Sequence, residues 1–358
     1  MRIKSSTQRG VSLIEVMVTL AIGLVVSIAA IAMVISNRSA YKSTEALSRI
    51  QESTRVAFEI MSRDLRAAGV NSCSGGTRVL NLLADPTTRW WSDWTGGLRG
   101  FDADGVSGAA AIGSGVGERV AGTDLIEVMH GGTSALTVSG HNSSNAEATV
   151  NGVALPAYSL ALQQPSGLSA GDLAIVCDFE STALFQVSAV NETNNSIQHA
   201  VVADKVPGNC SSGLAYRTPV TCDGGEGSIK LFAPGAQVMR LEAAAWYVGN
   251  NGRNGPGSSP TSLYRVGPSA SAGGSVVLPL VPEEIVEGVT NMQVRYMLDG
   301  EADYRTADSI TGVGWRNIIG VEIALDIEAP ESGTSTAAAG ARLTRTLRHV
   351  VNLRNRVL

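Results

Sequence analysis

Between Val11 and Ile35 the chain is apolar at almost every position, VSLIEVMVTLAIGLVVSIAAIAMVI, and Glu15 is the only charge in the run. A helix of about 20 apolar residues crosses a bilayer. One that is apolar on every side is surrounded by lipid or by other apolar helices. Past Ile35 the pattern turns amphipathic. Leu47, Ile50, Ala57 and Met61 recur at helical spacing with Thr54 filling the gap, while Arg49, Glu52, Arg55, Glu59, Arg63 and Arg66 occupy other faces. The first proline is Pro86, and only Gly23 and a few serines weaken a helix from Val11 to about Ala68. This predicts one rod of roughly 85–90 Å, ended by Gly69, with its stripe packed on a globular head.

From about Val70 the apolar period shortens to two. Strands are expected at Asp124–Met129, Leu173–Cys177, Leu184–Val190, Val238–Tyr247, Met292–Leu298, Val321–Ile327 and Leu343–Leu353. Pro282–Glu287 reads as a short helix with proline in its first turn. Gly96–Gly122, Gly249–Gly274 and Pro330–Gly340, rich in Gly, Ser or Ala, read as long surface loops. The expected fold class is α+β: a long N-terminal helical spine packed on a β-sheet-rich head. The divisions are a leader over 1–10, a membrane helix over 11–35, its amphipathic continuation over 36–69, and a head over 70–358. The head is one domain or two closely fused β subdomains.

Charge orients this arrangement. Arg2, Lys4 and Arg9 precede the apolar run, which places that end in the cytoplasm. The head then lies across the membrane. A secretory signal has its small-residue cleavage site after the apolar run. Here the small residue, Gly10, precedes it, so a cut after Gly10 keeps the membrane segment. That cut removes three cations and no acid, leaving the chain more acidic than the formal −5 of the whole. Such a balance argues against electrostatic nucleic-acid binding. Cys73, Cys177, Cys210 and Cys222 all fall on the far side, where disulfides are expected.

RGVSLIEVMVTLAIG resembles the class III signal peptide of type IV pilins and pseudopilins. EALSRIQESTRVAFEIMSRDLRAAG (Glu45–Gly69), GDLAIVCDFESTALFQV (Gly171–Val187), SLYR (Ser262–Arg265), EEIVEGVTNMQVRYMLD (Glu283–Asp299) and LRNRV (Leu353–Val357) are similar to segments of the PilW group of minor pilins, and more distantly of the GspJ pseudopilin. The resemblance implies cleavage between Gly10 and Val11 by a prepilin peptidase and methylation of the new N-terminus. Val11 stands where phenylalanine is usual. It assigns Glu15 the registry role, pairing with the amine of a neighbouring subunit. It implies a minor pilin in a tip or priming complex, with other minor pilins, the major pilin, a tip adhesin, the prepilin peptidase and the inner membrane as partners. The protein would leave the inner membrane for the pilus tip. A GspJ-like role in type II secretion is the alternative. A membrane-tethered periplasmic enzyme is a third, for which only unassigned acids speak.

Glu15 demands an explanation in any case, because an unpaired carboxylate in hydrocarbon costs several kcal/mol, on the order of 3. Gly23 serves either local helix flexibility or close helix packing. The four cysteines allow three pairings. Cys210–Cys222 closes a short loop containing Pro219, and Cys73–Cys177 then ties the helix exit to the GDLAIVCD strand. The matching family blocks often carry cysteine near these last two places. No CxxC points to zinc. Asp102, Asp104, Asp299 and Asp303 lie in acidic turns, with Gly113 and Ile310 where a calcium loop needs glutamate. Arg342, Arg345, Arg348, Arg354 and Arg356 alternate with Leu343, Leu347, Val351 and Leu353 and read as the solvent face of a strand. Trp90, Trp91 and Trp94 anchor the following loop or face a partner. His130, His141, His199 and His349 are scattered, no catalytic set emerges, and no cofactor or metal is expected.

Overall fold

The structure is a computed structural model and describes residues 10–69, 73, 79–94, 96–214, 229–270, 277–279, 281–335 and 340–353. The leader's cations Arg2, Lys4 and Arg9, as well as Cys222, Arg354 and Arg356, lie outside the described residues. One uninterrupted helix, α1, runs Leu13–Ala67, or roughly 80 Å. It ends as the glycine predicts: Gly69 takes a φ of 73°, open to a residue without a Cβ.

The remaining described elements are strands and short 3-10 turns, so the α+β architecture holds. The first strands are β1 (Val79–Asn81), β2 (Leu98–Phe101), β3 (Leu125–Gly131), β4 (Leu136–Asn142), β5 (Ala148–Val150), β6 (Val153–Leu155) and β7 (Ser159–Leu162). Next come β8 (Leu173–Cys177), β9 (Thr182–Gln186), β10 (Ala189–Asn191), β11 (Ser196–Gln198), β12 (Gln237–Asn250) and β13 (Thr261–Val266). The chain continues through β14 (Pro268–Ala270), β15 (Val277–Pro279), β16 (Glu283–Glu287), β17 (Val289–Leu298), β18 (Ile318–Glu328) and β19 (Thr344–Asn352). β12 is the organiser. Its start pairs with β8 and β4, and from Leu241 onward it pairs with β3 and β13. β16 extends β13, β2 extends β3, and β17–β18–β19 form a separate antiparallel sheet.

β12 is buried on both faces, which explains its nearly unbroken apolar sequence. Ala244, Trp246 and Val248 face a core shared with α1 and the inner face of the β17–β19 sheet. Ala243, Ala245 and Tyr247 face a second core with Trp90, Trp91 and the disulfide region. A third core joins β4, β7, β8, β9 and β11.

Four expectations need correction. Pro282–Glu287 is not a helix: Glu283–Glu287 is strand β16, held by pairing with β13, where Glu284 accepts from Ser262 at 2.7 Å and from Arg253. Gly96–Gly122 is not a plain surface loop, since it contains β2 and the fully buried Arg119. Gly249–Gly274 contains β13, whose Leu263 is completely buried. Leu184–Val190 is two strands, because Val187 and Ser188 turn their N–H groups to Asp172 and Gln198. The Trp90 and Trp91 side chains are buried in the second core, and so anchor the segment.

Candidate assembly site on the spine helix

The residues assigned to processing and assembly sit just before α1, at Gly10 and Val11, and on its N-terminal half, at Glu15 and Gly23. Every residue from Gly10 to Arg38 is exposed. Gly10 lies just before the helix, and a side chain added there would meet nothing within 4 Å. Val11 is exposed beside it, and Ser12 takes the extended N-cap conformation without a side-chain cap bond. Glu15 falls in the first turn, where the helix macrodipole favours an acid.

The other polar side chains inside the apolar helix satisfy themselves. Thr19 Oγ1 donates to the Glu15 and Val16 carbonyls at 2.9 Å, and Ser27 Oγ donates to the Gly23 carbonyl at 2.8 Å. Such back-bonding lets a hydroxyl sit in an apolar helix. Among the described residues the Glu15 carboxylate has no partner. At Gly23 the helix continues without interruption, and a Cβ there would meet nothing within 4 Å among the described residues.

The C-terminal half of α1 is fixed to the head by a different chemistry. Ala57, Met61 and Leu65 are completely buried, with Ile50 and Ala46 almost so. Thr54 fills its place in the stripe by donating to the Ile50 carbonyl at 2.5 Å. Phe58 stacks on His349 of β19 with ring centroids 5.0 Å apart. Asp64, buried, accepts from Trp246 Nε1 at 3.1 Å and from Arg265 Nε at 2.8 Å. At the helix exit, the Gly69 N–H donates to the Met129 carbonyl at 2.8 Å. Gly97 presses against this joint: a Cβ on it would lie 2.4 Å from Gly69 N and 2.5 Å from Met129 O. Cys73 is disulfide-bonded to Cys177 at the end of β8, tying the helix exit to the sheet. Cys210 is also disulfide-bonded, and its expected partner Cys222 lies outside the described residues.

Sequence reasoning missed Asp64 as an anchor, since nothing near it in the chain announces Trp246 or Arg265. It also left unassigned several buried ionisable groups. Burial pushes Glu127 up to about 7 and Asp124 up to about 6. Each is bound into the fold: Ser107 Oγ donates to Glu127 at 2.5 Å, and the Val294 N–H donates to Asp124 at 2.7 Å. Arg119 donates to the carbonyls of Thr123, Gly105 and Asp102. Asp102 in turn accepts from the Ala307 and Asp308 N–H groups, so this acidic turn is an internal cap and not merely a solvated one.

The histidines are not all scattered either. His141 Nε2 and His199 Nε2 meet at 3.2 Å in the interior. His199 Nδ1 donates to the Ser212 carbonyl and His141 Nδ1 accepts from the Phe232 N–H. His141 Nε2–H therefore donates to His199 Nε2, and both rings are neutral. Burial holds them at about 4 and about 3. Both ring nitrogens of each are engaged in the fold. Just before and along β19, Arg342 and Arg348 pair with Glu328 and Glu322, while Leu343 and Val351 are buried.

Residues 5–35 match the family model described as the prokaryotic N-terminal methylation motif. No curated protein matches the chain, and no solved structure matches it. The matched segment covers the leader junction, Glu15 and the whole apolar run. Together with the exposed apolar helix it fits a type IV pilin-like protein, of pilus or pseudopilus, anchored in a membrane.

Proposed function

We propose that the protein is a minor pilin of the PilW kind, cut between Gly10 and Val11 and used in a tip or priming complex that starts pilus assembly. One observation carries the assembly reading. The exposed helix satisfies its internal hydroxyls and leaves a single carboxylate, Glu15, without a partner among the described residues. In hydrocarbon that group needs a cation. The amine created at Val11 by cleavage supplies one when a neighbouring subunit stacks with an axial offset. The pair sets register, and the apolar faces of adjacent helices bundle around it. The head, resembling PilW blocks along its length, stays outside the bundle and contacts other minor pilins and the tip adhesin. Its size suits an end position, where no subunit above crowds it.

The test is a deletion strain complemented with wild-type or Gly10→Leu protein. Deletion should remove surface pili, wild type should restore them, and Gly10→Leu should leave a longer unprocessed precursor and no pili. Normal pili with lost protein secretion would move the protein to a pseudopilus of the GspJ kind. Normal pili and secretion with loss of a hydrolytic activity would defeat both.

A further inference from the structure

Between the apolar run and the head lies a neck of nearly bare helix. Ile35 closes the run, and Ala46 is the first residue buried against the head. Arg38, Tyr41 and Lys42 project from this neck, all exposed, and line one open concavity with Val34 and Asn37. Residues four apart on a helix share a face, so Arg38 and Lys42 stand one above the other. Among the described residues neither enters an ion pair. The next acid along the helix, Glu45, is taken by Arg49 at 2.7 Å, and Arg49 also faces Glu331 at 3.7 Å. The two cations thus remain free while the charges just above them are matched.

Depth along the helix identifies what they meet. At 1.5 Å per residue, Arg38 lies about 5 Å and Lys42 about 10 Å beyond Ile35. The headgroup layer on each side of the hydrocarbon is about 5–8 Å thick. Helical side chains tilt toward the N-terminus, here back toward the membrane, and long cationic side chains reach to the interface. Tyr41, 72% exposed, is one of the two aromatic types enriched at that level. Cations beyond the far end of a span also run against the positive-inside bias. Their position therefore calls for a local anion.

We propose that Arg38, Tyr41 and Lys42 form a headgroup clamp, in which the two cations hold the phosphate of an anionic phospholipid in the leaflet beneath the head and the Tyr41 ring lies at the interface. The proposal rests on the membrane-anchored reading of α1. It adds a consequence to it. Removal of the leader takes away Arg2, Lys4 and Arg9, so the clamp becomes the stronger electrostatic hold on the processed helix. A subunit leaving the bilayer for a filament must release it.

The experiment uses the full chain in detergent micelles with equal amounts of phosphatidylglycerol and phosphatidylcholine, read by native mass spectrometry. Wild type should retain phosphatidylglycerol preferentially. A cation at an anionic surface is worth about fivefold in binding, so Arg38→Gln with Lys42→Gln should reduce the preference by about that factor for each cation, while Lys42→Arg keeps it. The leader cations are the same in every chain, so the difference reports the neck. An unchanged lipid ratio in the double variant, or no preference in wild type, overturns the clamp. Vesicle reconstitution separates the two readings. A chain that inserts without headgroup preference refutes only the clamp, whereas one that does not insert refutes the membrane reading as well.

Discussion

The two halves of α1 share one backbone and no break separates them, yet they are stabilised in opposite ways. Between Val11 and Ile35 no residue is buried against any other described part of the chain, and the half is complete only in lipid or among other helices. Between Ala46 and Leu65 the same helix is seated on the head by a narrow stripe and by one buried carboxylate. Each half carries an acid in an apolar setting. Asp64 has its cation and its indole in the same chain, whereas Glu15 has neither among the described residues. An acid satisfied internally locks a fold, and an acid left unsatisfied calls for another molecule.

The largest test of this contrast is Asp64→Ala, which strands Arg265 and the Trp246 N–H at the helix–sheet seam. Breaking a buried pair by removing one partner costs about 3–5 kcal/mol, and Arg265's partial exposure puts the expectation near the lower end. Urea unfolding of the head in the detergent-solubilised chain measures it; a loss below about 1 kcal/mol would make the seat a packing contact only. Met61→Ala should cost about 2–4 kcal/mol through the cavity it leaves. Leu20→Ala, in the free half, should leave the same unfolding curve in place.

Smaller effects come from pH. Glu127 and Asp124 are raised to about 7 and about 6 in the fold. Their contribution is full below the ordinary carboxylate range and is lost as pH rises through 6 to 7. His141 and His199 are lowered to about 4 and about 3. Theirs is full above about 6.5, the ordinary histidine value, and is lost as pH falls toward the folded values. Stability should thus sag on both sides of weakly acidic pH, and Glu127→Gln should flatten the alkaline limb while leaving the acid one. Asp124 keeps its own share of that limb, so a limb of undiminished depth in the variant would show that Glu127 is ionised in the fold.

The smallest effect on stability belongs to Glu15→Ala, expected within about 0.5 kcal/mol for the head, with membrane insertion intact and incorporation into filaments lost. Wild-type incorporation would remove the registry role and leave the two acids of α1 without their contrast.

Much of this was legible along the chain. Alternation located β8 at its observed bounds, and the stripe from Ile50 to Met61 faces the core as its spacing requires. Pro282–Glu287 misled because proline followed by acids is also how a helix begins. What decides for a strand is the neighbouring β13, whose Ser262, together with Arg253 from the preceding loop, takes the Glu284 carboxylate. The glycine-rich tract before Gly122 looked like solvent-facing loop because its organiser is polar. A buried guanidinium satisfying backbone carbonyls, among them those of Thr123, Gly105 and Asp102, leaves no apolar signature. His141 and His199 stand 58 positions apart and met only through β4 and the segment after β11.

The sequence by itself determined the exposed helix, its lone glutamate, the glycine junction before it and the switch to β structure after Gly69. These depend on residue types within a few positions, where helix and strand periods and solvation in lipid act directly. Only the tertiary structure decided which acid is a lock and which is open. Asp64 meets Trp246 and Arg265 across 182 and 201 positions. Such a pairing arises when β12 and β13 close the core over the helix, a consequence of packing that no local period encodes.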